Sequence, residues 1–281
     1  MQQAPRELRP RVRATIPRGN VPRNALDNVP WNVICFRGIE GSNYRGRSTD
    51  RSHRQRRLDD EGRIAAPDWL LGQGVHRGHD AFTDGGLGVS IATPLGVQPT
   101  VDQLSWYPPY NNNDDQFIAQ QKKWLQAHAA EFDAPLRLED VEPGRYDVVY
   151  VVGGHGPMQD LAVHPTIGNL LVANLDDPDK YVGGVCHGPA SFLSAHRADG
   201  TWAFRGRKLT SFTNEEETQA TFAGSAPWLL EDRLRLAGAL FQAAEPWSVH
   251  IVEDGNLVTG QQNNSSGAAA SRIVERLQAS R

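Results

Sequence analysis

Cysteine is scarce in this chain: Cys35 and Cys186 are the two it has in 281 residues. A disulfide framework is therefore not expected, and neither cysteine lies in a CxxC or Cys/His spacing of the kind a structural zinc site needs. A reducing, cytoplasmic setting is the expectation that follows. Long apolar runs are missing as well. Nothing approaches the roughly 20 residues that span a bilayer, and the stretch from Met1 to Arg23 is rich in arginine and proline without an apolar core segment, so neither membrane insertion nor secretion is expected. An excess of one charge sign is the third absence. Lys and Arg number 29 against 33 Asp and Glu, a net charge of −4, which gives no general reason to expect nucleic acid or an anionic membrane as a partner.

What is present fits an ordinary globular protein with a sizeable core, since 39% of residues are apolar and 22% charged. Residues 1–29 carry Arg6, Arg9, Arg11, Arg13, Arg18 and Arg23 with few apolar side chains, and read as an arm that cannot fold alone. From residue 30 to 281 the chain reads as one domain with insertions at about 41–63 and 100–115. The first insertion is rich in arginine (Arg45, Arg47, Arg51, Arg54, Arg56, Arg57, Arg63); the second carries Trp106, Tyr107, Pro108, Pro109 and Tyr110. Strands are expected at Trp31–Phe36, Leu87–Pro94, Tyr146–Val152, Tyr181–Val185 and Lys208–Phe212, with a hairpin of 249–253 and 257–260. Helices are expected to end at Gly85-Gly86 and to cover 117–132, 165–175, Pro189–His196, Leu229–Ala237 and Ser265–Leu277. Strands alternating with helices give an α/β fold, a doubly wound, mostly parallel sheet sandwiched by helices. The near-continuous apolar run at 146–152 is the pattern of a strand buried on both faces.

Two peptides concentrate the chemistry, Val151-Val152-Gly153-Gly154-His155-Gly156-Pro157 and Gly183-Gly184-Val185-Cys186-His187-Gly188-Pro189-Ala190. Each puts glycines and a reactive side chain where a buried strand stops. Cys186 lies between Gly184 and Gly188 at a strand-to-helix turn, the arrangement of a nucleophile elbow, in which the turn presents the side chain and the helix terminus stabilises a thiolate. Gly153 and Gly154 supply backbone N–H groups that can meet a developing oxyanion, with the N–H of His187 as a further donor. Ligands of open α/β sheets bind beyond the carboxyl ends of the strands, so both peptides are expected to share one crevice. The plain alternative for Cys186 is a small buried hydrophobe.

The pair Gly153-Gly154-His155-Gly156-Pro157-Met158-Gln159-Asp160-Leu161 and Gly183 to Leu193 resembles the ThiJ/PfpI superfamily, on the class I glutamine amidotransferase-like fold, in the branch containing glyoxalase III and the bacterial holding chaperones. The resemblance extends over Thr210–Thr218, Pro227–Glu231 and Asp254–Gln261 and is specific from about residue 145 onward. It implies a cysteine nucleophile at Cys186, followed by His187, with an acidic third partner downstream. Spacing from Phe212 places that partner at Glu217, with Asn214 and Glu216 as neighbouring candidates. A solvated acidic helix start is the plain alternative for these positions. Homodimerisation is implied too.

One departure stands out. Relatives carry a glutamate on the helix before the second strand that donates a hydrogen bond to the thiolate, and its position here falls at Gln73 or Gly74, neither of which has a carboxyl group. Gln73 retains a donor but cannot shuttle a proton; Glu40 and Asp80 are candidate substitutes. His76, His79 and Asp80 form an HxxHD cluster whose spacing does not map onto the two-His, one-carboxylate metal site of some relatives, so no metal or other cofactor is expected. Gln73, His155, Glu40, Asn214 and Glu216 thus join the candidate pocket. The leading reading is a cysteine-dependent lyase or hydrolase acting on a small electrophilic carbonyl, C=N or amide compound, without nucleic-acid or membrane partners. A specialised enzyme with a pocket remodelled by the arginine-rich loop, and a holding chaperone, are the alternatives.

Overall fold

A computed structural model describes residues 34–38, 72–101, 103–106, 111 and 113–280, with the backbone alone at 34–38, 72, 73, 103 and 104. The arm 1–29, the loop 41–63, Glu40 and Tyr107–Tyr110 lie outside the described residues, as does the side chain of Gln73.

The main sheet has seven strands: β1 (Ile34–Gly38), β2 (Ser90–Thr93), β3 (Leu136–Arg137), β4 (Tyr146–Val151), β5 (Tyr181–Val185), β8 (Ile251–Asp254) and β9 (Leu257–Gly260), in the order β3-β2-β1-β4-β5-β9-β8. Neighbours β2 and β3, β4 and β5, and β5 and β9 pair in parallel, whereas β1 is antiparallel to both β2 and β4, and β8 to β9. Five strands thus run one way and two the other, a mostly parallel α/β sheet as its sequence suggests.

Helices cover both faces: α1 (Gly72–Asp84), α2 (Asp115–Ala127), α3 (Ala129–Asp133), α4 (Pro165–Leu175), α5 (Asn214–Gln219), α6 (Leu230–Ala237) and α7 (Ser266–Ala279). Because side chains alternate along a strand, β4 feeds two cores. Val149 and Val151 pack with Ile167, Leu170 and Leu171 of α4; Val148 and Tyr150 pack with Val75 and Phe82 of α1 and Ala270 and Ile273 of α7. A strand buried on both faces must be apolar throughout, which is why the run reads without alternation. Among the described residues no helix is long and apolar enough to cross a membrane.

Three local expectations need correction. The segment 117–132 is two helices, α2 and α3, broken at His128. The segment after Cys186 is a 3₁₀ helix, Gly188–Ser194, and not an α-helix. Within it Ser191 Oγ donates to the carbonyl of Gly188 (2.8 Å) and Ser194 Oγ to that of Ser191 (2.7 Å). The strand expected at 208–212 shortens to β6 (Lys208–Leu209) and pairs with β7 (Leu240–Phe241) in a separate two-stranded sheet. Beyond β6 the chain crosses the carboxyl ends of the main strands. The Thr210 N–H donates to Thr259 Oγ1 (2.9 Å) and the Phe212 N–H to the Cys186 carbonyl (2.9 Å). That crossing carries α5 over the end of β5.

The packing of α4 on the 3₁₀ segment yields a test. A Cβ added at Gly168 would lie 2.3 Å from the carbonyl oxygen of Ser194. Alanine at a helix interior normally gains about 1 kcal/mol over glycine, but overpacking costs typically 1–3 kcal/mol. Gly168→Ala is therefore expected to lower the unfolding free energy by up to about 2 kcal/mol in denaturant titration; a stabilised variant would refute this packing.

Candidate active site

The site forms where β4 and β5 end. Cys186 has φ 61, in the left-handed region that a branched or bulky residue resists. Its N–H donates to the Gly260 carbonyl (3.1 Å) and its carbonyl accepts from Phe212. Both neighbours of the elbow thereby hold the strained residue in place. Gly153 has to be glycine because a Cβ there would lie 2.6 Å from Cys186 Cβ and 3.0 Å from Sγ. Gly154, at φ +104, turns the backbone so that its N–H, like that of His187, faces the sulfur.

The third element is α5. Thr213 caps it in a reciprocal box: Thr213 Oγ1 accepts from the Glu216 N–H (3.1 Å), while Glu216 Oε2 accepts from the Thr213 N–H (3.0 Å) and hydroxyl (2.9 Å). Glu216 Oε1 accepts from the Trp247 N–H (2.8 Å) and Gln261 Nε2 (3.0 Å). Glu216, fully buried, thus anchors the helix. The next residue then projects toward the strand ends, and Glu217 enters the site. Asn214 turns away, its N–H donating to Glu231 (2.9 Å) and its amide to Asp232 (2.8 Å). Of the three candidate acidic-partner positions, Glu217 is the one brought to the histidines.

Cys186 Sγ lies 3.4 Å from His187 Nδ1. His187 Nε2–H donates to Glu217 Oε2 (2.8 Å) and His155 Nε2–H to Glu217 Oε1 (2.7 Å), with the two imidazole rings 3.9 Å apart. A carboxylate can only accept, so each imidazole carries its proton on Nε2. The Nδ1 lone pair of His187 is therefore left facing the thiol. Phe212 packs against His187 and Phe222 against His155.

Electrostatics place the resting protons. Burial pushes the Cys186 thiol up; the His187 N–H opposes this, the carboxylates of Glu216 and Glu217 reinforce it, and the Gly154 N–H opposes it again. Burial and the charge of His155 bring His187 down to about 4 against the pull of Glu217. Burial would raise the Glu217 carboxyl, but the His187 charge and the hydrogen bonds of His155 and His187 outweigh it and hold the carboxyl well below the usual range. At neutral pH the site is a thiol, a neutral imidazole and a carboxylate. The elbow was expected to present its side chain and the helix terminus to favour thiolate; instead Cys186 is 1% exposed and desolvation dominates over a short 3₁₀ turn.

Residues 119–276, more than half of the chain, match the DJ-1/PfpI family. The chain belongs to that family. Among DJ-1/PfpI relatives, the glutamine amidotransferase-like class 1 domain-containing protein 1 of Bos taurus is 29% identical over 153 residues, 54% of this chain and 69% of that protein. Glyoxalase 3 of Candida albicans is 25% identical over 207 residues, 69% of this chain and 84% of that protein. The crystal structure of glyoxalase III from Candida albicans shares the fold with a TM-score of 0.62 at 23% identity, covering 74% of this chain and 87% of that one.

Gly74 is buried on α1 and its carbonyl accepts from Ser266 Oγ (2.5 Å), so this candidate for the family glutamate's position serves helix packing. Asp80 is occupied by the Trp124 indole (2.8 Å) and His76 (3.1 Å). Sequence reasoning missed Trp247 and Gln261, the holders of Glu216; they lie 31 and 45 residues downstream with no local pattern to mark them. One ligand atom from each of His155, His187 and Glu217 lies within 4.8 Å of the other two, although both histidines are already joined to Glu217 by N–H donors.

The depressed His187 value has a testable sign. Its folded value of about 4 lies below the ordinary 6.5, so between these limits the unfolded chain takes up a proton that the native site refuses. Stability is present above pH 6.5 and is lost as pH falls toward 4. The unfolding midpoint is expected to drop across this window, and the His187 imidazole resonances to show no titration above about pH 5. A His187 titration centred near 6.5 would overturn the assignment.

Proposed function

We propose that this protein is a cysteine-dependent enzyme acting on small electrophilic carbonyl compounds, with α-oxoaldehydes as the first substrates to test. The observation that supports this reading most is the continuous path from Cys186 Sγ through His187 Nδ1 and Nε2 to Glu217, in which each hydrogen bond sets the next atom's role. Relatives named glyoxalase agree with it.

In this reading His187 Nδ1 takes the thiol proton as Sγ forms a bond to the aldehyde carbon. The imidazolium so formed is stabilised by Glu217, which stays ionised. The C=O π electrons move to oxygen, and the N–H groups of Gly154 and His187 meet that oxyanion. Return of the proton from His187 gives a hemithioacetal. For an α-oxoaldehyde, transfer of the hydrogen from the aldehyde carbon to the neighbouring carbonyl carbon, with the hemithioacetal hydroxyl proton passing to the neighbouring oxygen, then leaves a 2-hydroxy thioester, which water cleaves to a 2-hydroxy acid and the free Cys186 thiol; the aldehyde carbon is oxidised and its neighbour reduced, so no external redox partner is needed. A resting thiol rather than a thiolate also suits the burial of the site. The charged pair forms only when a substrate is there to receive the electrons, and a deeply covered sulfur restricts the substrate to small molecules.

Turnover of glyoxal and methylglyoxal, followed as 2-hydroxy acid formed, tests the proposal. Cys186→Ala is expected to reduce it to the uncatalysed background. Glu217→Gln keeps the shape but frees the imidazole tautomer and is expected to lower kcat by about 10²–10⁴-fold. Full turnover in Cys186→Ala would sink the cysteine mechanism.

A further inference from the structure

Away from Cys186, α1 and the α2–α3 corner bring together a second set of imidazoles and carboxylates. His79 of α1 is 4% exposed, and its Nε2 lies 3.1 Å from Glu131 Oε2 of α3. His128, at the break between α2 and α3, adds a third side chain, and one ligand atom from each of His79, His128 and Glu131 lies within 4.8 Å of the other two. His128 stacks on Trp124 with ring centroids 4.2 Å apart, and His79 meets the same indole edge-on at 5.1 Å.

A simple His–Glu hydrogen bond accounts for part of this arrangement and leaves two facts without explanation. First, His79 Nδ1 is buried and makes no hydrogen bond, although Asp80 Oδ1 lies 3.5 Å away. Second, His128 Nδ1 is 2.8 Å from the Trp124 carbonyl, and a carbonyl can only accept, so the proton is on Nδ1 and the lone pair is on Nε2. That lone pair belongs to a group packed against a carboxylate and a second imidazole, a crowding of electron-rich atoms that a cation would relieve.

We infer that His79, His128 and Glu131 form a binding site for a divalent transition-metal ion, zinc by the chemistry of the donor set, which ties α1 to the α2–α3 corner. Two imidazoles and one carboxylate favour zinc over magnesium or calcium, which take oxygen donors. In a tetrahedral site with bonds of about 2.0–2.1 Å, ligand atoms sit roughly 3.3 Å apart, and the 3.1 Å between His79 Nε2 and Glu131 Oε2 agrees with that spacing. Both imidazoles have the outer partner that metal-bound histidines need. The Trp124 carbonyl holds His128 Nδ1–H. On binding, the His79 proton moves from Nε2 to Nδ1, where Asp80 Oδ1 becomes its acceptor, and the orphaned nitrogen acquires a partner. Asp80 is itself oriented by the Trp124 indole N–H (2.8 Å) and by His76 (3.1 Å). Glu131 is 41% exposed, so the ion has access from solvent. The HxxHD cluster of the sequence is thereby redistributed: His79 supplies a ligand, Asp80 and His76 support it, and the other ligands come from 49 and 52 residues downstream.

The full-length protein, stripped of metal, is to be titrated with zinc chloride against a chromogenic chelator in a Cys186→Ala background, which removes the thiol of the other cluster. One zinc per chain is expected. His128→Gln and Glu131→Gln, both at partly exposed positions, are each expected to weaken binding by at least tenfold, and Asp80→Asn by about 10- to 100-fold, while the unfolding midpoint without metal stays close to the parent's. Absence of stoichiometric zinc binding would overturn the site. So would zinc affinity that is unchanged in both His128→Gln and Glu131→Gln, since the ion would then be bound elsewhere.

Discussion

A buried carboxylate shared by two imidazole N–H groups is the constraint on which the rest of the site depends. Glu217 accepts from His187 and His155 at once, and this pairing fixes both tautomers, the ionisation of the carboxyl and the direction of the His187 lone pair. An isolated carboxylate at this depth would take up a proton. The two donors make ionisation the favoured state, and the polarity of the Cys186–His187 pair follows from that.

Holding such a group in place requires support from outside its own helix. The helix carrying Glu217 has six residues, too few to be stable alone. Its capping box, the four donors on Glu216 and the crossing of residues 210–213 over the strand ends supply the missing order. Glu216 and Glu217 are adjacent, yet one anchors while the other meets His155 and His187, because consecutive helical residues point about 100° apart. The positive φ of Cys186 is maintained in the same way, by backbone hydrogen bonds on both sides, and the close approach of Gly153 fills the space a side chain would otherwise claim.

Much of this was readable from residue order. The run at Tyr146–Val151 announces a strand buried on both faces, and the glycine pattern around Cys186 announces a tight elbow at the end of the next strand. Phe212 marks the approach to the acidic residues, and the family resemblance with that spacing points to Glu217 while leaving Asn214 and Glu216 open. Other features left no local trace. Nothing in Gly188–Ser194 distinguishes a 3₁₀ helix from an α-helix. The thiol is deeply buried, although the elbow pattern suggested presentation, because desolvation depends on what the rest of the chain packs over the sulfur. At the other cluster, the HxxHD spacing drew attention to His76, His79 and Asp80, but the groups meeting His79 Nε2 come from a different pair of helices.

The sequence by itself determined the family, the alternation of strands and helices, and the position of Cys186 and His187 at the end of a strand, because these rest on short-range patterns that backbone geometry and burial impose on any chain; it left Glu217 open beside Asn214 and Glu216. The tertiary structure alone decided which oxygen meets which nitrogen, where protons reside and which distant residues share a cluster. Those outcomes depend on distances of about 3 Å between segments tens of residues apart, and hydrogen bonding and desolvation act on that scale without regard to separation along the chain.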